Sequence, residues 1–304
     1  MKLSDNILGG INCMGSFSLD PKTKLASVAL RVKDFDKMVG FYRHVVRLDL
    51  INEENDMAIM GIGEKRRKLV GLIATPEGKE DSNTRTGLYH MAFVFPTRED
   101  FALFMKHLIL LNYPIEGKSD HGYSESVYIN DPEGNRLEFS WDKPKEEWPL
   151  LEGKINGVTK ELDIQKFLCR VEGEFESIPE ETKVGHVHLS VLDLEESYRF
   201  YVDKLGFFMK DDDFAHTHFL TVNDYHHQIA LNEWTPASQK SFAKETDLGV
   251  DHITFDLPNF ESLLELKEHL TESGTEFYFN KGKKIIGISD PNGIQLWFIV
   301  LKKH

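Results

Sequence analysis

The chain has 304 residues, 40% hydrophobic and 28% charged, which is room for two cores of ordinary size. Its formal charge of -14 repels phosphate backbones and anionic lipid, so neither nucleic acid nor a membrane is expected as a partner and a small molecule is favoured. No run approaches the roughly eighteen apolar residues of a membrane span, and the start Met-Lys-Leu-Ser-Asp-Asn lacks the regions of a signal peptide, so a soluble, cytoplasmic protein is expected.

In chain order, residues 1–22 match nothing else in the sequence and read as an N-terminal arm. From Ser27, SVALRV alternates as a strand, and Asp34 caps a helix with Phe35, Met38, Tyr42 and Val45 on one face; MAIMGI and RKLVGLIA follow as strands. From His90, HMAFVF leads to Thr97 as a cap with Asp100 three residues on, and then to Phe101, Phe104, Met105 and Leu108. SVYIND and GNRLEFSW close this unit around the turn DPEGN, where the aspartate and proline begin the turn and the glycine takes the positive φ. Residues 143–181, rich in Lys, Glu and Pro, read as a linker. HVHLSV from His186 precedes a helix with Leu194, Tyr198, Tyr201 and Leu205, stopped by Gly206, and the strands THFLTVN and HHQIALNEW. HITFDL from His252 precedes a helix with Phe260, Leu263, Leu264 and Leu270, then Gly274, KIIGISD and GIQLWFIV.

The second half repeats the first. FYRHVV at 41–46 recurs as FYVDKL at 200–205, and NDPEGNRLEF at 130–139 recurs as SDPNGIQLWF at 289–298, both 159 residues on. TGLYHMAFVFP at 86–96 matches LGVDHITFDLP at 248–258. The reading is therefore α+β, four βαβββ modules in two tandem domains (23–142 and 182–304), paired into half-barrels. Cys13 and Cys169 are far apart and have no CxxC partner, which supports neither a disulfide framework nor a thiolate metal site.

Paired βαβββ modules with histidines on their first strands and DPxGN-x-x-E closing hairpins resemble the vicinal oxygen chelate superfamily (the glyoxalase/extradiol dioxygenase group), from about residue 23 to 303. The central half is most similar to extradiol catechol 2,3-dioxygenases, especially the compact two-domain bacillar ones. In that fold two modules enclose a site lined from the first and last strands of each. By alignment the first module offers Ser27 and Arg67, the second His90 and Glu138, the third His186 and His227, and the fourth His252 and Trp297. Two histidines and one carboxylate with open positions suit ferrous iron in oxygen chemistry, and only modules two and three together supply them: His90, Glu138 and His186. Mn(II), Ni(II) or Zn(II) would also be accepted by such a set. His188, two residues from His186 and on the same strand face, is a rival ligand, and His252 reads as a core histidine.

The resemblance also assigns catalytic roles. Tyr128 stands ten residues before Glu138, as in the ring-cleaving relatives, and His121 precedes it in Asp120-His121-Gly122; the two would orient the substrate oxygen and assist its deprotonation. His227 takes the place of the family's acid–base histidine, with His226 beside it as the alternative if the strand register shifts. Tyr128 is otherwise a core aromatic and His121 an exposed turn residue, while His216 and His218 line either the pocket or an outer hairpin. The implied activity is insertion of O2 into a catechol-type diol at non-haem Fe(II), in a chain that is compatible with a homo-oligomer. A glyoxalase-like metal-dependent isomerase or lyase is the alternative, which would favour a carboxylate or glutamine where this chain has His227. A metal-free aromatic-ligand-binding protein is the third reading, and it should have lost the ligands.

Overall fold

The structure is a computed structural model that describes residues 17–79, 85–151, 154–164, 168, 171–211, 215–235, 241, 242, 244 and 246–301. Cys13, Cys169 and residues 1–16 of the expected arm lie outside the described residues. The first module is β1 (Lys24–Val32), α1 (Phe35–His44), β2 (Asp49–Glu54), β3 (Met57–Ile62) and β4 (Arg67–Ala74). The second is β5 (Gly87–Phe95), α2 (Arg98–Leu110), β6 (Gly117–Asp120), β7 (Ser124–Asn130) and β8 (Arg136–Asp142). Short strands β9 (Leu150–Leu151), β10 (Lys154–Ile155) and β11 (Lys160–Glu161) lie between the halves. The third module is β12 (Lys183–Ser190), α3 (Leu194–Arg199), β13 (Phe208–Asp211), β14 (Thr217–Thr221) and β15 (Ile229–Asn232). The fourth is β16 (Gly249–Asp256), α4 (Phe260–Glu272), β17 (Tyr278–Asn280), β18 (Ile285–Ser289) and β19 (Gln295–Ile299). The fold is α+β, with the βαβββ unit present four times.

Each helix starts where a side chain can satisfy a free backbone N–H. Asp34 accepts from Lys37, Thr97 from Asp100, Asp193 from Glu196 and Asn259 from Ser262. Two helices differ from their sequence pattern. After Arg199 the third continues as one π-helical stretch over Phe200–Lys204, which carries the buried Tyr201. In α4 the apolar face is Leu263, Leu266 and Leu270, while Leu264 is exposed, because the 3,4 spacing places Leu266 inward. Gly206 and Gly274 take φ of 77° and 63° after these helices, and a Cβ at Gly206 would stand 2.6 Å from the Leu19 nitrogen.

The strands form two sheets that cut across the duplication. One has the order β17-β18-β19-β16-β1-β4-β3-β2 and joins modules one and four; the other has the order β11-β6-β7-β8-β5-β12-β15-β14-β13 and joins modules two and three. The seam of the second is the antiparallel pair β5–β12, with His188 opposite His90 and His186 opposite Ala92. The helical side holds each half together instead. The Tyr42 hydroxyl lies 3.4 Å from Asp131 Oδ2, and its repeat, Tyr201, lies 3.2 Å from Asp290 Oδ2. Glu133 accepts from the backbone N–H of Lys33 and Asp34, as Asn292 accepts from that of Leu192.

From Met91 onward the odd residues of β5, with those of β8, pack towards the helices, where Phe104 of α2 stands 4.3 Å from Phe139 and 5.3 Å from Phe95. Each such buried ring contributes about 1.5–3 kcal/mol. The 143–181 segment also joins this core: Phe175 stands 5.2 Å from Phe104, and β11 pairs with β6 to form the sheet edge. Even residues face the opposite, concave side. Among the described residues, no helix is long and apolar enough to cross a membrane.

Candidate metal centre

The registers place three side chains in one corner of the β8–β5–β12 surface. Ala92 of β5 sits opposite both Glu138 of β8 and His186 of β12, and His90 comes two residues earlier on the same face. Between a carboxylate and an imidazole, Ala92 projects only a methyl group, which leaves the space above it open. The backbone is irregular just before His186, where the β5–β12 register shifts at Val184. Gly185 occupies that step, and a Cβ there would stand 2.3 Å from Val94 Cγ2, so this approach of the strands requires glycine.

His90 Nε2 lies 3.1 Å from His186 Nε2, and Glu138 Oε2 lies 3.1 Å from the first and 3.3 Å from the second. Ligands about 2.1–2.2 Å from a common ion stand about 3.0–3.1 Å apart at right angles and about 3.5 Å apart at tetrahedral angles. The observed spacings sit closer to the first, one triangular face of an octahedron with its other corners open. All three residues are buried, and both imidazole Nδ1 atoms have no protein hydrogen-bond partner. Ser126 donates its hydroxyl to Glu138 Oε1 at 2.7 Å and so aims the other carboxylate oxygen at the histidines. Burial pushes the Glu138 carboxyl up, but His186 and His90 beside it hold it well below the usual carboxylate range; burial pushes His90 down despite Glu138. A divalent cation requires an ionised carboxylate and unprotonated imidazole nitrogens, and the shifts of Glu138 and His90 both run that way. Among the described residues this is the one such group of metal-capable side chains.

A cavity of about 350 Å³ opens over these atoms. His121 and Tyr128 line one wall and meet through Nε2 and the hydroxyl at 2.9 Å, and His227 lines another with its ring 4.2 Å from that of His186. Burial, reinforced by Glu138, keeps the Tyr128 hydroxyl protonated well above its ordinary range. Burial and the neighbouring His186 and His226 push His227 well below its own. His188 lines the cavity too, 5.0 Å from the His90 ring, outside the convergent group.

Tyr89 and Trp234 carry no sequence signal, and His188 belongs with them to the wall rather than to the ligand set. Tyr89, His188 and Trp234 pack edge to face at 5.0–5.1 Å and form an aromatic wall, with Arg136 donating to the Tyr89 hydroxyl. His216 and His218 lie elsewhere: His216 is in an exposed turn against Glu233, and His218 packs beside Tyr198. Alternation along β14 sends Thr217 and Phe219 into the cavity instead. His226 and His227 also depart from the strand pattern, because β15 begins only at Ile229. Both rings are therefore buried, and alternation does not choose between them.

The sheet that should repeat this site does not. Ser27 and Trp297 occupy the places of His186 and Glu138, and His252 stacks flat on Trp297 at 3.8 Å.

The glyoxalase/bleomycin resistance protein/dioxygenase superfamily model matches residues 24–139 and 183–298, one match in each half. The chain belongs to this superfamily. Within it, the chain is 29% identical over 293 residues to the catechol-2,3-dioxygenase of Bacillus subtilis (strain 168), covering 93% of this chain and 99% of that one. It is 30% identical over 138 residues to a biphenyl-2,3-diol 1,2-dioxygenase of Rhodococcus globerulus, covering 43% of this chain and 71% of the relative. A solved structure of a candidate dioxygenase from Bacillus subtilis subsp. subtilis str. 168 superposes with a TM-score of 0.63 at 15% identity, covering 91% of this chain and 84% of that one, which shows the shared fold. As a superfamily member of the extradiol-dioxygenase-like kind, the chain has, among its described residues, one candidate metal centre, at the seam between its halves.

Proposed function

We infer that this protein is an extradiol dioxygenase that cleaves a catechol-type ring with Fe(II) held by His90, Glu138 and His186. The observation that carries the reading is the convergence of these three side chains within 4.8 Å of one another, under a cavity that also receives His121, Tyr128 and His227. Bound there, a ferrous ion supplies a Lewis-acidic, redox-active centre with open positions for a diol and dioxygen.

The side chains around it divide the proton work. His227, neutral because it is buried beside other imidazoles, takes the proton of a diol hydroxyl and returns it to the product. Tyr128 stays protonated and serves as a donor towards the substrate oxygen, oriented by its 2.9 Å bond to His121. The aromatic wall of Tyr89, His188 and Trp234 gives a planar ring a surface to pack on and excludes water. Both atoms of one O2 enter the product, and catechol gives a hydroxymuconic semialdehyde.

A glyoxalase-type isomerase needs a further protein ligand, and His227 stands outside the convergent group. The test is to prepare the protein without oxygen, add Fe(II), and supply catechol and air. The yellow ring-fission product is expected. Isomerisation of an aldehyde–thiol adduct without oxygen uptake would support the glyoxalase reading instead.

A further inference from the structure

Behind the cavity wall lies a chain of polar contacts that begins at Asp142, the last residue of β8. Asp142 Oδ2 accepts from the Tyr225 hydroxyl at 2.8 Å, and Oδ1 lies 3.2 Å from His226 Nε2. The other nitrogen of His226, Nδ1, lies 2.8 Å from Nδ1 of His227. His226 is clamped between the rings of Tyr123 at 4.5 Å and Tyr225 at 4.0 Å, so its plane is fixed. Of the two histidines, only His227 lines the cavity. Its Nδ1 is engaged by His226, which leaves Nε2 as its free ring nitrogen.

Proton counting assigns the hydrogens. A carboxylate only accepts, so His226 Nε2 must carry a hydrogen, and a neutral imidazole has only one. His226 Nδ1 is then a bare lone pair. At 2.8 Å, with no hydrogen of its own to give, it must receive one from His227 Nδ1. We propose that Asp142 and His226 are positioning residues that fix His227 as its Nδ1–H tautomer, so that the neutral ring presents an unprotonated Nε2 to the cavity.

The competing assignment makes His226 a cation that donates from both nitrogens, and His227 would then show an N–H to the cavity. Asp142 is already shared with the Tyr225 hydroxyl and with Lys183 Nζ at 4.0 Å, which leaves it little charge to balance a buried imidazolium packed against the rings of Tyr123 and Tyr225. The arrangement has the logic of an acid that orients a base through an intermediate imidazole: one carboxylate sets one tautomer, which sets the next. Its catalytic consequence rests on the dioxygenase reading above. His227 meets a diol as an acceptor, the O–H proton moves to Nε2, and only then does the ring become a donor.

Histidine 15N NMR of the full-length protein, metal-free and loaded with diamagnetic Zn(II), reads the tautomer without any turnover. The wild type is expected to show His227 protonated at Nδ1 and bare at Nε2. His226→Asn keeps an acceptor oxygen near the position of Nδ1 and should preserve this pattern. His226→Phe and Asp142→Leu remove the acceptor and its anchor, and each should bring a hydrogen to His227 Nε2 in a large share of molecules. In the Fe(II) enzyme, His226→Phe should lower kcat by about ten- to a hundredfold with KM within about twofold, while His226→Asn recovers most of it. A wild-type His227 protonated at Nε2, or a tautomer unchanged in both His226→Phe and Asp142→Leu, would overturn the proposal. If the tautomers behave as stated but no variant, nor the wild type, cleaves a diol, the positioning stands and the dioxygenase reading falls.

Discussion

The Nε2 atoms of His90 and His186 lie 3.1 Å apart, although the two residues are 96 positions apart and belong to different halves of a duplicated chain. The β5–β12 seam brings them together. The site therefore exists only when both halves fold against each other, while each half is closed separately on its helical side by a Tyr–Asp contact.

Glu138→Gln should weaken metal binding and abolish ring cleavage while the fold persists. The change removes the charged ligand at constant volume and leaves an oxygen for the Ser126 hydroxyl. Metal analysis beside thermal unfolding checks it: bound iron should be largely lost with Tm within about 3 °C of wild type, the scale of about 1 kcal/mol for a chain of this size. Full iron content and full activity would remove Glu138 from the site.

Metal loading should reach one ion per chain and no more. In the other sheet Trp297 replaces the carboxylate, Ser27 replaces one histidine, and His252 is stacked face to face on the tryptophan. Elemental analysis after loading and desalting gives the count, and two tightly held ions per chain would contradict this.

Much of this arrangement is legible in the sequence, and the exceptions have physical causes. His90, Glu138 and His186 lie on strands where alternation and repeat offsets apply, so the residue pattern, read through the family resemblance, picks out modules two and three as the complete pair. The strands β2, β6, β13 and β17, at or next to the sheet edges, escape individual recognition because each is short or lacks apolar alternation: β2 reads DLINEE, β6 reads GKSD, and β13 and β17 have four and three residues. Tyr89 and Trp234 belong to the wall through tertiary packing, and Asp142 matters only through a histidine 84 residues away. His226 and His227 were open to an either-or choice for a strand, and the turn before β15 buries both.

His227→Phe should leave metal content near normal and lower turnover by about 10² or more, the usual scale for a lost general base. Its ring lies tilted beside His186 without joining the convergent group, so phenylalanine keeps most of the packing while removing the proton acceptor and the contact to His226. Loss of the ion in this variant would make His227 a ligand and favour an isomerase-type centre.

The turn aspartates should give stability a pH slope. Burial raises both Asp131 and Asp290 from 3.8 to about 6. The folded state thus holds these protons longer than the unfolded state; their contribution is fully present below pH 3.8 and is lost as pH rises through about 6. Asp290→Asn removes one such term, so its stability relative to wild type should improve by about 2 kcal/mol between pH 4.5 and 7. Urea unfolding of both proteins at the two pH values measures the difference, and a difference independent of pH would show that Asp290 titrates normally.

The most direct test of the central claim is mass spectrometry of the product formed by the Fe(II)-loaded protein from catechol under 18O2. The account predicts a ring-opened product carrying two 18O atoms, with one O2 consumed per diol and no such product from Glu138→Gln. A catechol left unchanged by iron-loaded protein, or a product carrying fewer than two atoms of label after exchange with water has been controlled for, would contradict the assignment of His90, Glu138 and His186 as the centre of an extradiol dioxygenase.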